Sequence, residues 1–432
     1  MLETIKTIIL DSQETKLEIG VPRHLAAEPV AHKATICIGV RRSGKSTYLF
    51  QQIDQLLRDG VSPKNILYLN FFDDRLHGLQ HEGIGAVTEA YYSLYPEKKN
   101  TETVYCFFDE IQEIEGWESF VDRLIRTEEC KIFITGSSAK MLSTEIATQM
   151  RGRALSWELF PFSLHEFLDY REVDGRGPLS SKKQLLVKKA FDEYWEKGSF
   201  PEVVNVSKHL RIKIHQEYFH TILSRDLIER HNVSHPKAAL DLAHWLVDNI
   251  ASLYSLNRLT GYLKSQGHKI TKSTVSDYIK WLEDAYFLFT MHIFDASISR
   301  RNANPKKIYC IDHAMIMSVS SGILVNAGHL LENIVFIELR RNHTDIYYYK
   351  THSGLEVDFI VLQKNRVKKL IQVSETLIDA KIRKREIKAL EQAMTERGLK
   401  ESIIVTRHEQ DRVETESGVI YIIPVWRFLL DV

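Results

Sequence analysis

Residues 39–47 read Gly-Val-Arg-Arg-Ser-Gly-Lys-Ser-Thr, after the apolar run ATICI and before a stretch with helical spacing. Two glycines, a lysine and adjacent hydroxyls between a strand and a helix suit the capture of a phosphate. Glycine lets the backbone curl until several N–H groups point at one anion. The helix that follows adds its positive N-terminal end. The spacing Gly39-x-x-x-x-Gly44-Lys45-Ser46 is that of a phosphate-binding loop. Gly39, Arg42, Ser43, Gly44, Lys45, Ser46 and Thr47 are then expected to cradle ATP, with Lys45 on the β and γ phosphates and the Ser46 hydroxyl on Mg²⁺. The cradle is main chain, so the side chains of Arg41 and Arg42 are expected to face solvent or a partner. The rival is a chance match on a turn; the strand before it and the helix after it count against that.

A second motif is Val104-Tyr105-Cys106-Phe107-Phe108-Asp109-Glu110, an apolar run ending in two acids, the Walker B pattern. Asp109 is expected in the Mg²⁺ shell, and Glu110 is expected to orient or deprotonate the attacking water. Alone, an acidic strand end meeting solvent is the simpler reading; downstream of the loop it is not. Thr135-Gly136-Ser137-Ser138 ends the next apolar run, and Ser137 or Ser138 is the expected contact to the γ phosphate or the water, a plain turn being the alternative. Arg151-Gly152-Arg153 follows. Either arginine can serve as a finger stabilising charge on the γ phosphate, in cis or from a neighbouring subunit, or be a solvated loop residue.

These residues need a frame. Apolar runs at 34–40, 65–72, 103–110, 131–138 and 154–162 are apolar on both faces, as strands of a buried parallel sheet are. Helical patterns at 46–57, 84–94, 117–127 and 139–150 separate them, giving an α/β, doubly wound sheet covered by helices. DGRGPLSS (174–181) is a turn-rich break. From 182 to about 295 the pattern is helical and ends in a helix, a turn, a second helix with Ser273 and Thr274 as N-cap candidates, and the strand FLFTMHIF, the order of a winged helix. From about 305 strands and helices mix again.

Bulk properties narrow the classes. The 432 residues allow two or three domains. Lys plus Arg equals Asp plus Glu, 57 each, so global charge signals neither nucleic acid nor membrane. No apolar run approaches the roughly 20 residues that span a bilayer, and no membrane partner is expected. MLETIKTIILDSQETKLEIG carries acids and no small-residue cleavage site, so it is not expected to be a signal peptide. Cys37, Cys106, Cys130 and Cys310 never form CxxC and are expected to be free thiols in a reducing cytoplasm.

GVRRSGKST, FFDEIQEIEGWESFVDRL, IFITGSSAKML, MRGRALSWELFPFSLHEF, GSFPEVV, YFHTILSRDLIER and LLENIVFIELRRN…IYYYKTHSGLEVDFIV resemble the prokaryotic AAA-type (AAA_14-like) ATPases whose C-terminal part is called DUF4143. The resemblance runs from about residue 15 to the end. It implies a P-loop AAA-type ATPase domain over 1–170, a helical lid and winged-helix-like domain over 171–300, and over 301–432 a C-terminal α/β domain resembling PD-(D/E)xK nucleases. It makes Arg151 and Arg153 stronger functional candidates. In that nuclease frame Glu332 lies on the helix and Asp358 on a strand, but the next strand offers Gln372 and Ser374 where an acid and a lysine are needed, with Glu375 on the other face. No nuclease activity is expected; Glu332 and Asp358 are read as structural, and Glu356 as a surface residue.

The expected function is a Mg²⁺-dependent ATPase whose hydrolysis moves the winged-helix and C-terminal modules on DNA or a protein partner, as a homo-oligomer if a finger acts in trans. The alternative is a nucleotide-gated DNA-binding regulator with little turnover. For DNA, residues 271–280 form the candidate recognition helix, with Lys264, His268, Lys269, Arg258 and the loop SRRNANPKK (299–307) nearby. Protein packing, with Asp277, Glu283 and Asp284 repelling phosphates, is the equal rival.

Overall fold

The computed structural model describes residues 1–137, 148, 150–323, 326–364 and 366–431. It divides into two compact units, Met1–Phe160 and Pro161–Val432.

In the first unit, helix α1 (Leu2–Glu14) precedes strand β1 (Ala34–Ile38), α2 (Lys45–Arg58), β2 (Ile66–Asn70), α3 (Ala86–Leu94), β3 (Val104–Asp109), α4 (Trp117–Thr127), β4 (Cys130–Gly136) and β5 (Ala154–Glu158). The five strands form one sheet in the order β2-β3-β4-β1-β5, and every pair is parallel. This is the P-loop NTPase frame expected from the apolar runs. β1 is buried at all five positions, which is why it reads as an unbroken apolar run. Each strand is shorter than its apolar run: β1 stops at Ile38 because the chain must leave the sheet to make the loop. The helix expected at 139–150 lies outside the described residues apart from Thr148 and Met150. α1, buried through Ile5, Ile8 and Ile9, was not singled out in the sequence.

The topology decides what can meet. β4 lies between β1 and β3, with Ile38 paired to Gly136 and Phe108 to Ile134. The carboxyl ends of β1, β3 and β4 therefore share one edge, where ligands of open α/β sheets bind.

The second unit begins with helices α5 (Leu164–Tyr170), α6 (Ser181–Lys197), α7 (Lys208–Thr221), which continues as a π-helical stretch over Ile222–Glu229, and α8 (Pro236–Asp248). Then come β6 (Leu253–Tyr254), α9 (Leu256–Ser265), α10 (Lys272–Asp284), β7 (Leu288–Met291) and β8 (Lys306–Cys310). β6, β8 and β7 form an antiparallel sheet in that order. The N-cap of α10 is Thr271, whose hydroxyl accepts from the Thr274 amide at 3.2 Å, in place of Ser273 or Thr274.

After α11 (His313–Val319), helix α12 (Ala327–Asn342) is buried at every position from Leu330 to Leu339. β9 (Ile346–Lys350), β10 (Glu356–Gln363), β11 (Arg366–Ser374), α13 (Ala380–Arg397), β12 (Glu401–Thr406), β13 (Asp411–Glu414), β14 (Val419–Pro424) and α14 (Val425–Asp431) complete the chain. The six strands order as β13-β14-β12-β11-β10-β9. The edge strand β13, DRVE, was not read as a strand; charge on an edge masks the period-two signal and protects the edge.

Candidate functional site

The loop after β1 is built around a close approach. A Cβ on Gly39 would lie 2.2 Å from the Leu159 carbonyl oxygen, so only glycine fits there. Arg42 (φ 64°) and Gly44 (φ 94°) are left-handed, turning the chain back into α2. Arg23 is buried beneath: Nη1 donates to the Ser43 carbonyl and Nη2 to the Phe160 carbonyl, both at 2.5 Å. Arg41 stacks over the Phe72 ring at 5.7 Å.

Lys45 is the first residue of α2 and is buried. Its ammonium donates to the Gly39 and Val40 carbonyls at 3.2 and 3.1 Å and stands 3.6 Å from Glu110 Oε1. Asp109, fully buried at the end of β3, accepts from the Ser46 hydroxyl, from Tyr68 OH at 3.1 Å and from Thr135 Oγ1. Burial, chiefly, holds its carboxyl above the ordinary range, partly offset by these donors. Glu110 is left-handed (φ 54°), its amide donates to Thr135 Oγ1 at 2.9 Å, and its carboxylate accepts from Gln112. A non-glycine residue held left-handed at a strand end marks a place where surrounding structure overrides local preference.

Walker A and Walker B residues thus meet: Lys45, Ser46, Asp109 and Glu110 share one polar knot. Ser43 Oγ and Ser137 Oγ are buried there without a hydrogen-bond partner among the described residues. Buried hydroxyls rarely go unpaired, and a triphosphate oxygen or its ordered water supplies such partners. The residues fit ATP with a divalent ion.

Thr135, which the sequence did not single out as a contact, links Asp109 to the backbone of Glu110; Ser138 lies outside the described residues. Arg151 and Arg153 are not near the loop of their own chain. They precede β5, and the Arg153 carbonyl accepts from the Ala34 amide at 2.8 Å, at the amino end of β1. The loop follows its carboxyl end. Arg153 is engaged with Asp122 at 2.5 Å, whereas Arg151 is exposed with φ 50°.

The second unit contains another polar knot. Lys307, on β8, is buried, and its ammonium lies 2.9 Å from Glu332, from Glu356 and from Asp358. Tyr309 OH donates to Glu332 at 2.8 Å, and the Val373 amide to Asp358 at 2.9 Å. Gln372 accepts from the Asp358 amide at 3.2 Å and donates to Glu386 at 2.8 Å. Glu356 is half-buried, and its carboxylate reaches the lysine. The sequence placed Lys307 in a basic loop; its period-two partnership with Tyr309 on one strand face was the available signal.

Comparison with known proteins agrees with this construction. Residues 31–168 match an AAA domain, 188–323 the domain of unknown function DUF8612, and 327–428 the domain of unknown function DUF4143. An uncharacterized protein of Methanocaldococcus jannaschii is 32% identical over 98% of this chain and 94% of its own length. The chain belongs to this family of AAA-domain proteins with a C-terminal DUF4143 domain. An uncharacterized protein of Haemophilus influenzae is 31% identical over 76% of this chain and 79% of its own. Among solved structures, the Walker-type ATPase PABY2304 of Pyrococcus abyssi covers 66% of this chain and 90% of that one at 15% identity and TM-score 0.43. The Aeropyrum pernix ORC1 protein in complex with DNA covers 75% and 92% at 14% identity and TM-score 0.32. Among the described residues no helix is long and apolar enough to cross a membrane.

Proposed function

We propose that the protein is a Mg²⁺-dependent ATPase. The observation that carries this is the convergence of Lys45, Ser46, Asp109 and Glu110 at the carboxyl ends of β1 and β3. Lys45, the amides of residues 39–47 and the N-terminal end of α2 bind the triphosphate. Ser46 and Asp109 would hold Mg²⁺, which neutralises charge on the phosphates. Glu110 accepts the proton of the attacking water. Thr135 orients Asp109 and fixes the backbone of Glu110. Hydrolysis then drives movement of a winged-helix region, built on α9, α10 and β6–β8, and of the C-terminal module, acting on DNA or a protein partner. The Lys45→Ala variant should lose at least about 100-fold in turnover, of the order set by one electrostatic phosphate contact; wild-type phosphate release from that variant refutes the assignment.

The position of Arg151 supports a finger supplied in trans by a second copy. It also favours a second reading, a nucleotide-gated switch whose isolated monomer turns over little. Phosphate release that rises with protein concentration supports the oligomeric ATPase; release that stays negligible at every concentration supports the switch.

The inward Lys307 supports the reading that Glu332 and Asp358 are structural in a degenerate nuclease-like domain, since an ammonium already pairs both carboxylates.

A further inference from the structure

Between α10, the start of α9 and the segment leading into β8 lies a groove of about 280 Å³. Lys272, Ser276 and Lys280 line it from one face of α10, at i, i+4 and i+8. Asn257 and Asn302 add exposed amides, and Lys306 closes the far wall. Among the described residues, Lys272, Lys280 and Lys306 have no salt-bridge partner. Neighbouring basic groups are committed elsewhere: His268 to Asp241 at 2.6 Å, Arg258 to the Trp245 ring at 5.7 Å, and Arg300 to Asp295 at 3.6 Å.

Of the three acids that would repel an anion, only Glu283 lines the groove. Its carboxylate is turned to β7, accepting from the Thr290 amide at 2.9 Å and hydroxyl at 2.6 Å. Burial further disfavours its charged form. Asp277 and Asp284 do not line it. A helix rises 1.5 Å per residue, so Lys272 and Lys280 stand roughly 12 Å apart along one axis. That span covers about three or four phosphates of one strand at 3.4 Å of axial rise. A regular row of ammonium groups, with hydroxyl and amide donors between, fits a regular polyanion better than the scattered carboxylates of a protein surface.

We propose that this groove holds the sugar–phosphate backbone of duplex DNA. The proposal rests on the reading that the winged-helix region acts on DNA, and it assigns the contact to Lys272, Lys280 and Lys306. It does not involve the nucleotide loop.

The test is fluorescence anisotropy of a labelled short duplex with the full chain across a salt series, comparing wild type with Lys272→Gln/Lys280→Gln. Each lost phosphate contact lowers the slope of log affinity against log salt by about one. The double variant should bind at least about tenfold more weakly at low salt with a slope reduced by about two. Its ATP turnover without DNA and its melting temperature should match wild type, which excludes misfolding. If wild type binds the duplex and the variant binds equally with the same slope, the groove assignment is overturned while the DNA reading stands. If wild type binds no duplex at low salt, both fail. If polyglutamate binds wild type more tightly than the duplex does and is lost in the variant, the groove serves an acidic protein instead, and the proposal is overturned.

Discussion

Replacing Lys307 with methionine keeps the length of the side chain and removes its charge. The ammonium is the common partner of Glu332, Glu356 and Asp358, each at 2.9 Å, and its side chain is 4% exposed. Breaking a buried ion pair by removing one member costs about 3–5 kcal/mol, because the remaining charge is stranded. Here two buried carboxylates, Glu332 and Asp358, are stranded at once, so the upper half of that range is expected at pH 8. At about 2–4 °C per kcal/mol for a unit of this size, the second unit should melt about 10 °C or more below wild type. The sign of the pH dependence separates this from a simple packing defect. Burial, then the Asp358 charge, already pushes Glu332 up to about 7, from an ordinary 4.5. A carboxyl raised in the folded state binds more protons folded than unfolded, so its contribution is present below the unfolded value and lost as pH rises through the folded one. Without the ammonium, which opposes that rise, the Glu332 carboxyl moves further in that direction. The deficit should therefore be largest at pH 8 and shrink steadily towards pH 5, as Glu332 becomes neutral. The assay is a series of thermal melts, wild type and variant, at half-unit pH intervals. A deficit that is flat with pH, or below about 1 kcal/mol at pH 8, refutes the account of Lys307 as the cation holding three acids together.

The other expectations concern the nucleotide site. Thr135→Val removes the hydroxyl that Asp109 and the Glu110 amide share; loss of a hydrogen bond to a charged group predicts a stability cost of about 1.5–3 kcal/mol, read by denaturant melts, and a larger fall in kcat than in KM. Because Asp109 sits above the ordinary carboxylate range through burial, Mg²⁺-dependent nucleotide binding should fade on acidification at a higher pH than an exposed aspartate would give, followed by titration calorimetry; persistence of full Mg²⁺ dependence to pH 4 contradicts it. Mixing Lys45→Ala, which keeps its arginines, with Arg151→Ala, which keeps its loop, should restore turnover that neither variant shows alone; a mixture as inactive as its parts rejects a finger in trans.

What the sequence revealed follows the range of each interaction. The phosphate loop and the acid pair were legible because their spacing is local and their flanks are apolar. The parallel sheet was legible because buried strands leave unbroken apolar runs. The link through Thr135 was not legible because it depends on register: Thr135 meets Asp109 only once β4 is inserted between β1 and β3. The distance of Arg151 from its own loop is likewise a matter of strand direction, with β5 parallel to β1 and the arginine at its start. Lys307 was hidden among basic neighbours, since burial of a lysine depends on acids 25 to 51 positions away that reach it only in the folded chain.

Arg23 has a mechanical consequence. One guanidinium grips both the Ser43 carbonyl in the loop and the Phe160 carbonyl, the last peptide of the first unit. Planar, five-donor geometry makes that grip stiff. The loop backbone and the last peptide of the first unit are thereby tied to one side chain, without a relay through the sheet.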